Sequence, residues 1–567
     1  MLSHGPAGVS IGEADRPAAP AADASPRGSL SIGIGRRRPE PRRVDMLCVA
    51  LLVVLVAGIE YAVRRAALRP LWYDELWRAR YLSVPLGDYW SQLRNSNGPS
   101  ALGWVVLSRG LADLLGWHVW VLRLPELVAL PVLAGSTYAF ARRFTGPLAA
   151  LAAGASLGAS GTIVDLGTQF KPYVIEAVCA IAVLALWLAR PAGTGSPAGR
   201  IGYRVVAGVL TVFTVPLAFL VGPLALADVV LVKGGLRVRL RAALEAVPAV
   251  IITLAHTVFF VGRQSRQRIS HYWDFQFLAG RTLAGGLRFV GHQVITLAGS
   301  APSGVDRTDV NVVHTVTDGT AVETWVLAPA FAVAFLLGAL VLLRRKDGQV
   351  VLFALVSAEV LQLAASAERY WPFGPTRTNL FLVPLLVLVP AVGISDLARG
   401  ARRHLVLVPP VLALAAVSAV ALGSSASSAQ RLYDHQHDLR LIDQLSAAAD
   451  SASTLARPGD LTVVTGNFTR PGWIYSMDVN DDRTAGLRRI PRSETVFSFF
   501  DGPTTQLAAL EGGSFRPKQV LVFVLDIDRF RGPPVLARLR SAGYCPASSR
   551  HFLLTGRLTV LRACRAG

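Results

Sequence analysis

Apolar runs recur along most of this chain and are separated by short polar segments. Runs at 46–63, 118–141, 148–166, 174–189, 244–260, 322–343, 350–365, 378–397 and 405–422 each approach the roughly 20 residues that a helix needs to cross a bilayer. The run at 205–232 is too long for one span and lies between two basic loops. Pro216 near its middle predicts a hairpin of two short helices. The segment 101–116 is apolar as well, but it carries Arg109 and Asp113 four apart, on one helical face. A charged face on a short apolar helix predicts an interfacial helix and not a span. The pattern therefore predicts about eleven spans.

From residue 423 the period changes. LTVVTG, VLVFVLDID and RLTVLRA are β-rich runs, 438–455 has helical spacing, and PPVLARLRSAG reads as a helix between two strands. This predicts an α/β domain over 424–567, with no glycine fingerprint for a nucleotide. At the other end, residues 1–44 are rich in Ala, Pro, Gly and Arg and close on RRRPEPRR, the composition of a disordered tail. A cleaved signal peptide is the rival reading of 46–63, but no small-x-small site precedes Arg64-Arg65. The expected organisation is a tail (1–44), a membrane domain (45–423) with outer loops 66–117 and 263–321, and the α/β domain.

Composition agrees. The 567 residues are 52% hydrophobic and 17% charged, with mean hydropathy +0.44. That excludes an ordinary soluble protein and indicates a polytopic α-helical membrane protein. The net charge of +20 is not a nucleic-acid footprint, because the basic residues cluster in short loops between apolar runs (Arg142-Arg143, 233–241, 344–346, 399–404). This is the positive-inside pattern of a multi-pass plasma-membrane protein. It puts the N-terminus in the cytoplasm and the C-terminal domain outside. Cys48 and Cys179 fall in apolar runs and read as buried thiols. Cys545 and Cys564 are able to pair if the C-terminal domain is extracytoplasmic. No metal-type Cys or His spacing is present.

Under this topology four outer segments gather on one side of the membrane. The first contains LWYDELWRARYL, where Asp74 and Glu75 sit among Trp, Tyr and Arg residues suited to a membrane–water interface. A carboxylate held there is able to act as a base on a hydroxyl brought to the surface; the bland alternative is a pair of solvated charges opening a short helix. The second, GTQFKPY, holds Lys171 and Tyr173. The third, the long segment from Arg263, holds Arg266, Arg268, His271, Tyr272, Trp273 and Asp274, then Asp306, Asp309, His314 and Asp318; its acids read as a solvated loop. The fourth, ERYWPFGPTR, holds Glu368, Arg369, Tyr370 and Arg377. Basic groups at the outer face run against the charge bias, and a phosphate held at the interface gives them a reason. Snorkelling to lipid headgroups is the alternative for each alone.

The order of these features resembles the GT-C class of integral-membrane glycosyltransferases, to which protein mannosyltransferases and the aminoarabinose transferase of lipid A belong. That order is a first span, an outer loop with WYDE, a Gly-Pro step into an apolar interfacial helix, an outer K-P-Y, a late R-Y-x-P-F-G-x-x-R and an outer α/β tail. The likeness covers about 45–400. It implies a polyprenyl-phosphate sugar as donor, membrane lipids as surroundings, and a cell-envelope glycan, lipid or protein as acceptor. It implies a catalytic carboxylate at Asp74 with Glu75 beside it. It places the lipid phosphate and sugar among Lys171, Tyr173, Arg369, Tyr370 and Arg377. A divalent cation is a possible cofactor of the class, yet GTQFKPY contains no acid and Asp165 lies upstream of it, which speaks against a two-carboxylate metal site. One carboxylate on the far face of the sugar implies inversion. A flippase of lipid-linked sugars is the main rival, but inverted repeats are not evident and few charges other than Asp228 and Glu359 fall deep in a span. A catalytically idle scaffold is the third possibility.

Overall fold

The computed structural model describes residues 43–93, 99–193, 195–264, 271–305, 321–402, 404–434, 436, 444–466, 469–497, 505–526, 529, 532–552 and 555–564. The expected tail up to residue 42, Arg266 and Arg268, the charged residues at 306–318 and the start of the helix expected from 438 lie outside them, as do the side chains of Tyr73, His271, Tyr272 and Trp273.

The chain opens with α1 (Arg43–Ala62) and a short α2 (Arg64–Leu68), then α3 (Tyr73–Leu82), α4 (Leu86–Gln92) and α5 (Leu102–Leu115). The helix read as interfacial is α5, and Arg109 Nε meets Asp113 Oδ2 at 3.3 Å across one turn. Next come α6 (Val119–Ala141), α7 (Pro147–Gly158), α8 (Gly161–Gly167) and α9 (Tyr173–Ala189). The run at 148–166 is not one straight helix: α7 and α8 meet at a bend of 56°. The arms of the expected hairpin are α10 (Pro197–Thr211) and α11 (Ala218–Leu231), broken around Pro216.

A continuous helix, α12 (Leu236–Ala255), runs on to Gln264. The segment after it, expected to lie outside, contains α13 (Leu283–Gly299), a helix that the sequence pattern does not predict. Gly285, Gly286 and Gly291 dilute its helical signal. Then follow α14 (Ala321–Leu343), α15 (Lys346–Ala367), a 3-10 turn Arg377–Leu382 leading into α16 (Val383–Ala401), and α17 (Val408–Asp434). The last of these passes through residue 423, where the composition changes. Among the described residues seven helices are long and apolar enough to cross a bilayer, eight if α7 and α8 form one broken span, with α9 and α11 as shorter apolar helices.

Close helix crossings depend on small residues, as they do in membranes where helix and lipid are equally apolar. A Cβ on Gly338 of α14 would lie 1.8 Å from the Val389 carbonyl oxygen of α16, and one on Gly161 would meet the Ser428 backbone of α17 at 2.2 Å.

The C-terminal part continues with α18 (Leu445–Leu455), β1 (Leu461–Thr465), α19 (Thr469–Asp478), β2 (Thr495–Phe497), α20 (Thr505–Glu511), β3 (Gln519–Leu525), α21 (Gly532–Ser541), β4 (Tyr544–Phe552) and β5 (Gly556–Ala563). The sheet order is β2-β1-β3-β5-β4. β1 pairs in parallel with β2 and β3, and β5 is antiparallel to β3 and β4. The three strands expected from sequence are β1, β3 and β5. β2 has three residues, and β4 exposes six in a row, so neither shows an apolar pattern. Cys545 and Cys564 form a disulfide at the open end of the β4–β5 hairpin, with Cα atoms 5.0 Å apart.

This domain is seated on α3 and on the start of α6. A Cβ on Gly472 of α19 would meet Leu445 of α18 at 2.6 Å and Leu76 of α3 at 3.1 Å, so α19 packs tightly between the two helices. The backbone amides of Trp117 and Val119 donate to Asp481 (2.6 Å) and Asp482 (2.7 Å), and His118 Nδ1 lies 2.8 Å from Asp482 Oδ1. Two carboxylates of the α/β domain thus cap the N-terminus of α6, where the helix dipole favours negative charge.

Candidate active site

The residues around Asp74 are fixed by its neighbour. Glu75 is fully buried. It accepts the Trp72 amide at 2.6 Å, which caps the first turn of α3, and it accepts the Phe170 amide from the loop before α9. Both its oxygens meet the guanidinium of Arg123 from α6, at 3.0 and 3.2 Å. The other nitrogen of Arg123 donates to the carbonyls of Ala67 (2.9 Å) and Arg69 (2.6 Å). A second pair supports the same two segments: Arg69 Nη2 lies 3.1 Å from Asp165 Oδ1, and Gln169 donates to Asp165 Oδ2 at 2.7 Å. At the far end of α3, Arg109 donates to the carbonyls of Leu82 (3.0 Å) and Val84. Glu126 of α6 accepts the amides of Val174 (3.1 Å) and Ile175 (3.2 Å), so the start of α9 is held too.

Asp74 is placed differently from Glu75. Its Oδ2 is 2.9 Å from Lys171 Nζ and 3.9 Å from Arg78 Nη1, while its Oδ1 is buried with no hydrogen-bond partner. Lys171 is 1% exposed and Arg377, in the 3-10 turn ahead of α16, is 8% exposed. Burial alone would raise the Asp74 carboxyl, but the charges of Lys171, Arg377 and Arg78 outweigh it and hold it at about 2. Burial pulls Lys171 down to about 8, with Asp74 opposing and Arg377 reinforcing that shift. Counting Arg123 with Glu75, and Glu176 beside Arg78, the described groups here are four cations and three carboxyl groups. The site carries surplus positive charge in a dry setting, where it attracts an anion strongly.

The expected residues separate accordingly. The structure brings Asp74, Lys171 and Arg377 together. Tyr173 opens α9 and is packed into the main apolar core. Arg369 pairs with Asp274 and lies over Phe277, 5.5 Å from the ring centroid. It also turns the chain: the Tyr370 amide donates to the Ala365 carbonyl at 2.8 Å and the Arg369 amide to the Ser366 carbonyl at 3.2 Å, with Arg369 at φ 57°. This is the left-handed position that ends a helix and usually takes glycine. Tyr370 is 61% exposed. Arg78 stands one helical turn after Asp74, so its place in the site was legible from spacing. Arg123 and Glu126 were missed; the signal was two charges, Arg-x-x-Glu, inside an apolar run.

A divalent cation does not suit this donor set. Positive side chains surround Asp74, Asp165 is engaged by Arg69 and Gln169, and the described residues contain no group of three His, Cys, Asp or Glu able to hold a metal.

No family model and no curated protein matches this sequence. Solved structures do. ArnT from Cupriavidus metallidurans in the apo state aligns over 90% of this chain and 98% of its own, with 15% identity and a TM-score of 0.52. The same protein bound to undecaprenyl phosphate aligns over 90% and 97%, with 14% identity and a TM-score of 0.52. The archaeal oligosaccharyltransferase AglB from Archaeoglobus fulgidus, in complex with an inhibitory peptide and a dolichol-phosphate, covers 84% of this chain and 69% of its own at 12% identity and a TM-score of 0.42. At these identities the likeness to ArnT shows the fold: a GT-C-like helical membrane domain followed by a C-terminal α/β domain.

Proposed function

We propose that this chain is a membrane glycosyltransferase that moves a sugar from a polyprenyl-phosphate donor to a cell-envelope acceptor on the extracytoplasmic face. The observation that carries the reading is the 2.9 Å contact of Asp74 with a buried lysine, within a cluster that has more cations than carboxylates. ArnT, whose fold this chain shares, has been solved bound to undecaprenyl phosphate. A lipid phosphate of that kind is the anion such a cluster suits. The disulfide in the C-terminal domain supports an oxidising, extracytoplasmic compartment.

In this reaction Lys171 and Arg377 hold the phosphate and take up the charge that develops on it as the anomeric C–O bond breaks. Asp74 accepts the proton of the acceptor hydroxyl as its oxygen attacks the opposite face of the anomeric carbon, which inverts the configuration. A carboxyl held near 2 is a weak base, and phosphate binding corrects this: once the cations face the phosphate, less of their field falls on Asp74. Glu75 acts as the positioning residue, because its oxygens are committed to Arg123 and two amides. Asp274 and the helix end take Arg369, which leaves the phosphate to Lys171 and Arg377, with Arg78 beside Asp74.

The test is transfer of label from polyprenyl-phosphate sugars to an envelope extract by protein in lipid. Wild type transfers; Asp74→Asn falls at least about a hundredfold while its unfolding temperature is kept. Equal rates in both would remove Asp74 from the mechanism.

A further inference from the structure

The segment that brings Arg377 to the site is WPFGPTRTN, residues 371–379, and 372–377 are buried. Buried backbone needs hydrogen-bond partners. Pro372 and Pro375 fix their own φ angles but have no N–H to offer. One side chain joins the segment to itself. Asn379 Nδ2 donates to the carbonyls of Pro372 (3.2 Å) and Gly374 (2.8 Å), and Asn379 Oδ1 accepts from Trp371 Nε1 at 2.7 Å. The orientation of this amide follows from its partners, because an indole N–H only donates and a carbonyl only accepts. The Gly374 carbonyl also takes the Thr376 amide at 2.8 Å, and the Thr376 carbonyl takes the Asn379 amide at 2.9 Å. Arg377 lies inside the loop that these bonds close. The loop is fastened outside as well. The Phe373 amide donates to the Gln276 carbonyl at 3.0 Å, and Gly374, at φ 99°, passes so close to Gln293 of α13 that a Cβ has no room.

We infer that Asn379 is a positioning residue for the donor phosphate: it fixes the backbone under Arg377, and so sets how firmly Arg377 and Lys171 together hold that phosphate. The inference rests on the glycosyltransferase reading above. Three observations support it. Asn379 is 7% exposed, and all its side-chain hydrogen bonds stay within its own segment. Their loss therefore frees the segment before it frees the bundle. The residue type also fits, since the place needs an acceptor for one indole and a donor for two carbonyls. Aspartate has the shape but turns a carboxylate toward those carbonyls, and leucine satisfies none of the three groups. Lastly, Arg377 acts on both Asp74 and Lys171, so a shift of its backbone is felt at both. A long arginine side chain loses rotamer freedom when it holds an anion, and a fixed root limits that loss.

The test uses the purified full chain in lipid nanodiscs, with undecaprenyl phosphate as the binding probe and polyprenyl-phosphate sugars as donors. Asn379→Ala is expected to bind undecaprenyl phosphate about tenfold more weakly. Trp371→Phe keeps a ring against Phe219 and loses only one bond to Asn379, so it serves as the gentler variant, expected to bind about threefold more weakly. In an Arg377→Met background the further loss from Asn379→Ala stays within about twofold, because the two residues act as one. The pH profile of donor kcat/KM gives a readout that loss of folded protein does not move. Besides burial, Asp74 and Glu75 raise Lys171 and Arg377 lowers it. A displaced Arg377 therefore lets the alkaline limb rise to higher pH in Asn379→Ala. Wild-type affinity in Asn379→Ala, a loss that adds in full to that of Arg377→Met, or an unmoved limb would each overturn the inference. Weaker binding in Arg377→Met with none in Asn379→Ala removes Asn379 and keeps the phosphate site. Equal affinity in wild type and Arg377→Met removes that site, and the inference with it. Binding as expected without transfer by wild type sinks the enzyme and keeps the role of Asn379.

Discussion

Two buried charge clusters lie at opposite ends of α9, and they differ in balance. At its C-terminal end, Arg200 meets Glu245 at 2.5 and 2.6 Å and Arg204 meets Asp228 at 2.9 Å, with the Arg204 guanidinium 3.8 Å above the ring of Trp187. Each buried arginine there has its own carboxylate. At the N-terminal end, Lys171, Arg78 and Arg377 all act on Asp74, while Glu75 also acts on Lys171 and Glu176 faces Arg78. The first cluster is closed and holds α10, α11 and α12 together. The second has charge and hydrogen-bonding capacity left over. Burial is therefore no guide to function here; the surplus is.

Breaking each cluster should give opposite signatures. The largest expected effect is on Lys171→Met: transfer falls at least about a hundredfold through weaker donor binding and a poorer leaving group, with little loss of stability. Steady-state kinetics beside thermal unfolding checks this, and a mainly structural defect would contradict it. Next, Arg204→Met strands Asp228, and Glu75→Gln breaks the pair with Arg123. Each is expected to destabilise by about 3–5 kcal/mol. In Arg204→Met the donor KM of the protein that remains folded is unchanged, which denaturant titration with kinetics on the same samples decides.

The smallest effect is on pH dependence. Lys171 binds phosphate only when protonated, and burial lowers it to about 8. Donor kcat/KM should fall about tenfold per unit above that pH, because it reports the free protein. Bound phosphate raises the lysine and relaxes the field on Asp74, so both limbs of kcat should lie at higher pH than those of kcat/KM. Coincident profiles would show that the cations and the phosphate do not meet.

Much of this fold was legible in the sequence because long apolar runs, Pro216 and the β-rich runs of β1, β3 and β5 are local signals. α13, β2 and β4 were not, since glycine dilution, shortness and a solvated face erase the period. In the site, Asp74, Lys171 and Arg377 stood out as charges at an interface. The difference between Asp74 and Glu75 was invisible, because neighbours in sequence differ only in what the fold brings to them: Arg123 arrives from one helix and Lys171 from another. Arg369 and Arg377, eight apart in one motif, part company for the same reason.

The most direct measurement is equilibrium binding of undecaprenyl phosphate to wild type, Lys171→Met and Asp74→Asn. A site defined by surplus positive charge predicts binding about tenfold weaker in Lys171→Met and about tenfold tighter in Asp74→Asn, which loses the competing carboxylate even as it loses transfer. Affinities that stay the same in both variants would contradict the account.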